Sequence, residues 1–251
     1  MTKSDLVLSN ATTFFSGNIE KVFQKAKKYG FRFLEILPYR WTRTEEILNL
    51  EARYNIKVVG IHLPPGKPKN FLEKILNPFW VFYLGRAKQS PGWDIAQAFK
   101  RQKRDFYLLC HSDLIAELDN KLFSDLPIVI ENIPYYGGKY PEVLWDPIQI
   151  LQTHPQTKLV FDPGHFSSTP RAAKLLQIYP VLQPEAIHIG YNNFPPHLLP
   201  NQKEREELKM MLEIHRPRYI VLETNPLVSV KKGKKILDAL IDQTANYSPK
   251  T

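Results

Sequence analysis

Seven of the eight segments that read as buried strands end, or nearly end, in an acid or a histidine. They are FLEIL with Glu35, VVGIHLP with His62, FYLLCH with His111, IVIEN with Glu131, LVFDPGH with Asp162 and His165, AIHIG with His188, and YIVLET with Glu223. A polar residue that closes an apolar strand lies at one rim of a sheet. Seven such rims converge only if the strands are parallel and the sheet closes on itself. The pattern therefore demands a barrel with a polar mouth, and acids mixed with imidazoles make that mouth a candidate cation site.

Strand and helix signals alternate along the whole chain. LVLSN at residues 6–10 precedes a helix in which Ile19, Val22, Phe23 and Ala26 recur at helical spacing, and Gly30 stops it. FRFLEIL leads to a helix from Thr44, whose Glu45 and Glu46 suit a helix N-terminus, although Thr44 and Ile47 do not make a capping box. KVVGIHL is followed by the longest connection, residues 64–105, with aromatics Phe79, Trp80, Phe82 and Tyr83 and a basic helix at its end. FYLLCH, PIVIEN, LVFDPG, AIHIG and YIVLET each precede a further helical segment. The strands lack strict alternation, as expected when both faces are covered. With 251 residues and 43% hydrophobic content, these units predict an α/β chain that is one (β/α)8 TIM barrel over residues 1–251.

No apolar run approaches the roughly 20 residues that span a bilayer. MTKSDLVLSN shows no basic and apolar export signal, and the only cysteine, Cys110, lies inside an apolar strand without a disulfide partner. Both features suit a reducing cytoplasm and no membrane. The net charge of +9 favours anionic partners. Much of it comes from Lys100, Arg101, Lys103 and Arg104, and from Lys231, Lys232, Lys234 and Lys235, which read as solvated helix faces.

Glu131, Asp162, His188 and Glu223 end the fifth to eighth strands. Three carboxylates gathered with one imidazole repel one another unless a divalent cation joins them. The mixed nitrogen and oxygen set suits manganese, zinc, cobalt or iron better than calcium. His62 and His111 form a second layer, able to bind a second metal that shares Glu131 or to hydrogen-bond a substrate. His165 lies in DPGH, where Pro163 and Gly164 turn the chain back over the mouth. It would orient a substrate oxygen or bind a further metal together with His197. His154 and His215 fall at helix ends, where histidine commonly serves the helix dipole.

This strand-end set resembles the xylose isomerase-like TIM barrel superfamily of sugar and sugar-phosphate isomerases, epimerases and endonuclease IV-like repair enzymes. The resemblance runs from Leu6 to Leu240 and is most specific in IEN at Glu131, DPGH at Asp162 and LET at Glu223. It implies that Glu131, Asp162, His188 and Glu223 hold one catalytic metal. It also implies that Glu131 and Glu223 exchange a proton with substrate in the isomerase branch. In the nuclease branch His62, His111, His165 and His197 would all be ligands. Here Pro195 stands two residues before His197 where that branch has an aspartate, and Tyr191 stands three residues after His188 where an acid is common. The arginine that some ketose epimerases place after the histidine has no match in NNFPPH.

The expectation is a metal-dependent isomerase or epimerase acting on a sugar, sugar phosphate or related polyhydroxy carbonyl compound. The alternatives are an endonuclease IV-like phosphodiesterase for abasic or damaged DNA, and a barrel that binds a metal or ligand without catalysis. The expected partner is a small anionic or polyhydroxy molecule. Under the nuclease alternative, Lys100–Arg104 and the aromatics at 79–83 would meet nucleic acid.

Overall fold

The computed structural model describes residues 4–64, 81–82, 84, 89–111, 114, 125–132, 152, 155, 157–165, 175–193 and 196–245, without the side chains of 14–15, 175–178, 192–193 and 196–197. Eight parallel strands close into a barrel: β1 (Asp5–Ser9), β2 (Phe33–Ile36), β3 (Lys57–His62), β4 (Tyr107–His111), β5 (Ile128–Glu131), β6 (Lys158–Phe161), β7 (Ala186–Ile189) and β10 (Tyr219–Leu222). They neighbour one another in chain order, and β10 closes the ring on β1. Between β7 and β10 a short antiparallel ribbon pairs β8 (Tyr191–Asn193) with β9 (Pro196–Leu198), elements outside the strand and helix alternation read in the sequence.

Around the ring lie α1 (Glu20–Tyr29), α2 (Thr44–Tyr54), α3 (Pro91–Arg101), α4 (Leu175–Leu182), α5 (Gln202–Ile214) and α6 (Val230–Ala245). The helices expected after β4 and β5 fall outside the described residues, as do His154 and most of the aromatic stretch at 79–83. Local chemistry sets the helix ends. Gly30 ends α1 at φ 72°, as its position in the sequence suggests. Ser90 caps α3 by accepting from Gly92 N at 3.1 Å, with Pro91 next in the first turn. In α2 the cap lies one residue earlier than Thr44. Arg43 is the cap, and its N–H faces Glu46 Oε2 at 3.5 Å. No described helix is long and apolar enough to cross a membrane.

Strand side chains alternate between two apolar sets, which explains the unbroken apolar runs. Leu8, Leu34, Leu108, Ile130, Phe161, Ile187 and Leu222 point outward into the layer shared with the helices. Val7, Val59, Tyr107, Leu109, Val129, Val160, Ala186, Tyr219 and Val221 point inward and fill the barrel, with Phe33 packed against them. The two-residue period of a strand then dictates what sits one layer higher. Phe33 leads to Glu35, Leu109 to His111, Val129 to Glu131, Val160 to Asp162, Ala186 to His188 and Val221 to Glu223. The polar mouth is therefore the top layer of the same inward file that makes the apolar core.

On β3 the file is re-aimed. Leu34 pairs with Val58 but Glu35 pairs with Gly60, so the register slips by one residue beside the mouth. A Cβ on Gly60 would lie 2.6 Å from Tyr107 Cζ and 2.8 Å from Glu35 Cγ. Only a residue without a side chain lets these two groups meet.

The basic stretch before β4 is partly consumed by packing. Arg104 grips Glu51 through both guanidinium nitrogens and lies 3.7 Å over the Phe99 ring. Lys100 sits 3.8 Å from Asp125. Arg101 and Lys103 are exposed.

Gly60→Ala is expected to cost about 1–3 kcal/mol by overpacking. Urea unfolding of the variant measures it; an unchanged midpoint would show that Tyr107 and Glu35 do not need this gap.

Candidate metal centre

Glu131 closes β5, Asp162 follows β6, His188 is the penultimate residue of β7, and Glu223 follows β10. Each can offer one donor atom, and the four atoms lie within 4.8 Å of one another. Cation bonds of roughly 2.0–2.2 Å allow opposed ligands to stand about 4.4 Å apart, so a small inward movement closes a coordination sphere. Glu131, Asp162 and His188 are fully buried. Glu223 is 13% exposed and opens the cluster toward the mouth.

His188 lies at the centre. Its Nδ1 is 3.0 Å from Glu131 Oε1 and 2.8 Å from Glu223 Oε2. An imidazole nitrogen aimed between two carboxylates has the placement of a ligand atom. Burial disfavours the imidazolium, but Glu35, Glu131 and Glu223 outweigh it and hold the His188 pKa well above the ordinary histidine range. Burial likewise works against the charge on Glu131, and His188, His111 and His62 more than compensate, keeping that carboxyl well below the usual range. Without a cation, then, a proton on His188 supplies the compensating charge. The donor set fits a divalent metal of the manganese, zinc, cobalt or iron kind.

Asp162 is held by its own turn. Its Oδ1 accepts from Gly164 N at 2.7 Å within the 3-10 turn Pro163–His165. The Asn132 amide donates to Asp162 O at 2.9 Å and accepts from Asp162 N at 2.9 Å, so it continues the ladder past the strand ends. Asn10 does the same for Leu37, at 2.9 and 2.8 Å.

His62, His111 and Glu131 form a second potential donor group. Glu131 Oε2 lies 3.5 Å from His62 Nε2 and 3.3 Å from His111 Nε2, while its Oε1 faces His188. Glu131 thus turns one oxygen toward each donor group. His62 Nδ1 meets Leu63 O at 2.6 Å, and a carbonyl only accepts, so Nδ1 carries the proton and Nε2 is left to the site. The same logic applies to His165. Its Nδ1 meets Asn132 O at 2.5 Å and its Nε2 lies 3.2 Å from Asp162 Oδ2. DPGH therefore turns His165 in against Asp162, and it belongs to neither donor group among the described residues. His197 stands on β9, with its side chain outside the described part. His215 caps α5, and its Nε2 meets Pro184 O at 3.2 Å, a structural role.

Four residues beneath or beside the ligands escaped the sequence-derived site: Glu35, Gly60, Tyr107 and Asn132. Glu35 was visible as a strand-end acid, and a glycine inside a strand signals close approach. Neither signal tells which ligand the residue serves.

By sequence alone the chain matches no protein-family model and no curated protein. Its fold is shared with solved structures. A 3-keto-D-glucoside 4-epimerase from E. coli aligns at 15% identity and TM-score 0.62, over 95% of this chain and 99% of that one. The IolI protein, solved with a bound zinc atom, aligns at 14% identity and TM-score 0.61, over 98% and 99%. A family 2 AP endonuclease from Brucella melitensis aligns at 10% identity and TM-score 0.51, over 94% and 98%. The fold is that of the xylose isomerase-like TIM barrels.

Chelator-stripped protein is expected to be stabilised by added zinc or manganese, by about 2.7 kcal/mol at a metal concentration 100 times Kd. Asp162→Ala should abolish that increment. Urea unfolding with and without metal reads both, and an equal increment in the variant would place the metal elsewhere.

Proposed function

We propose that this chain is a divalent-metal-dependent isomerase or epimerase acting on a sugar, sugar phosphate or related polyhydroxy carbonyl compound. The observation that carries the reading is the pair of carboxylates on either side of His188, Glu131 at 3.0 Å and Glu223 at 2.8 Å. Moving a proton between two faces of a carbon needs two bases that converge on one substrate. A metal held by Glu131, Asp162, His188 and Glu223 would polarise the substrate's carbonyl and hydroxyl oxygens.

The two carboxylates have unequal surroundings. Glu131 faces three imidazoles and is buried, whereas Glu223 reaches the open side of the mouth. In this reading one takes the proton from the carbon beside the carbonyl and the other returns one to the enediolate. Asn132 and Gly164 keep Asp162 fixed during this exchange, because they bind its backbone and Oδ1. The E. coli neighbour's epimerase chemistry is consistent with this reading.

A second reading, an endonuclease IV-like phosphodiesterase, is favoured by one observation: His62 and His111 converge on the second oxygen of Glu131. Clustered metals there would serve hydrolysis. Pro195 in place of the expected aspartate weakens a three-metal version.

Solvent-deuterium uptake into a panel of ketoses, aldoses and their phosphates, with metal present, tests the first reading. Exchange is expected in at least one sugar. Glu131→Gln or Glu223→Gln should each lower it by 100-fold or more, following the roughly 10²–10⁴-fold worth of a positioned acid or base. No exchange with any sugar, together with chelator-sensitive cleavage of an abasic duplex at low salt, would transfer the assignment to the nuclease. Neither activity in metal-loaded protein would leave a binding barrel.

A further inference from the structure

The ring of His188 has two nitrogens, and only one faces the metal-ligand cluster. The other, Nε2, points across the barrel interior to Glu35 Oε2 at 3.0 Å. Glu35 lies on β2 and His188 on β7, so the contact spans the closed barrel and not two neighbouring strands. The same Glu35 oxygen accepts from Tyr107 Oη at 2.7 Å, a group on β4. All three residues are buried: Glu35 is 1% exposed, Tyr107 3% and His188 fully covered. Gly60 provides the gap in which Tyr107 and Glu35 meet.

A buried carboxylate is costly unless something requires it. Among the described residues Glu35 is absent from both donor groups, and its carboxylate serves only Tyr107 and His188 as hydrogen-bond partners. Its other oxygen, Oε1, is buried with no hydrogen-bond partner among the described residues. A carboxylate accepts, so the proton on this bond belongs to His188 Nε2. That leaves Nδ1 as the nitrogen that faces Glu131 and Glu223, where a cation would take the place of the imidazolium's second proton. We propose that Glu35, itself held by Tyr107, is a positioning residue that orients His188 and selects Nδ1 as the atom offered to the cation. The inference rests on the reading of Glu131, Asp162, His188 and Glu223 as a metal site. It adds a carboxylate–histidine–metal relay whose carboxylate comes from a non-neighbouring strand of the barrel.

The test uses the full chain, stripped of metal and titrated with cobalt(II), whose visible absorption reports the ligand field, with zinc as competitor. Wild type is expected to bind cobalt with a defined spectrum. Glu35→Ala should bind about 10–100-fold more weakly and with an altered spectrum, because the ring is no longer held. Glu35→Gln keeps an oxygen that accepts from Nε2 and should fall between the two. Tyr107→Phe removes one support of Glu35 and should weaken binding by about 2–12-fold, the worth of one hydrogen bond; it serves if Glu35→Ala does not fold. Thermal unfolding of the metal-free proteins separates misfolding from weak binding.

Wild-type affinity and spectrum in the Glu35 variants, or weaker binding with an unchanged spectrum and no recovery in Glu35→Gln, would overturn the positioning role while leaving the metal site in place. Failure of wild type itself to bind cobalt or zinc would overturn the metal reading, and the role of Glu35 with it.

Discussion

Four carboxylates, from Glu35, Glu131, Asp162 and Glu223, crowd around one imidazole at the top of an otherwise apolar barrel, and the charge balance of that crowd governs the rest of the architecture. Taking so many acids out of water is tolerable only if positive charge or hydrogen-bond donors meet each of them. His188 touches three of the four, Glu35 through Nε2 and Glu131 and Glu223 through Nδ1. Asp162 receives Gly164 N, with His165 beside it. Glu131 receives two more imidazoles on its far oxygen. The result is a donor set that is assembled without a cation and has the charge to accept one.

That crowding is possible because the barrel interior is layered. Tyr107, Tyr219 and Phe33 fill the space below, with Tyr107 and Tyr219 ring centroids 5.7 Å apart and Phe33 and Tyr219 6.4 Å apart. These aromatics raise the polar layer toward the C-terminal ends of the strands, where connections of any length can shape a substrate pocket. Tyr107 has a foot in each layer. Its ring packs in the apolar set while its hydroxyl reaches Glu35, and burial together with that carboxylate pushes its pKa well above the phenol range. It stays a neutral donor, as a support under a carboxylate must.

The two donor groups share Glu131, and this sharing is where the two chemistries open to the fold diverge. One cation with two flanking carboxylates suits proton transfer at carbon; a second cation on His62 and His111 suits attack at phosphorus. The backbone carbonyl of Leu63 leaves His62 with Nε2 turned to the site in either case. Neighbours of both kinds share the barrel, so the architecture by itself does not choose between them.

Much of this was legible in the chain before any coordinates. Strand length, unbroken apolar runs and a polar residue at each strand end identify a parallel barrel and place Glu131, Asp162, His188 and Glu223 at one rim, because side-chain direction along a strand is a local, two-residue property. The same locality explains what was hidden. Glu35 and His188 are separated by 153 positions, and no periodicity reports which residues face each other across a closed ring. The one-residue slip between β2 and β3, the gap at Gly60 and the ladder-like amide of Asn132 also depend on neighbouring strands. The order of apolar and polar residues determined the barrel and its polar rim; closure of the ring alone decided that Glu35 would reach His188 across the barrel interior, since that contact exists only once the strands have met.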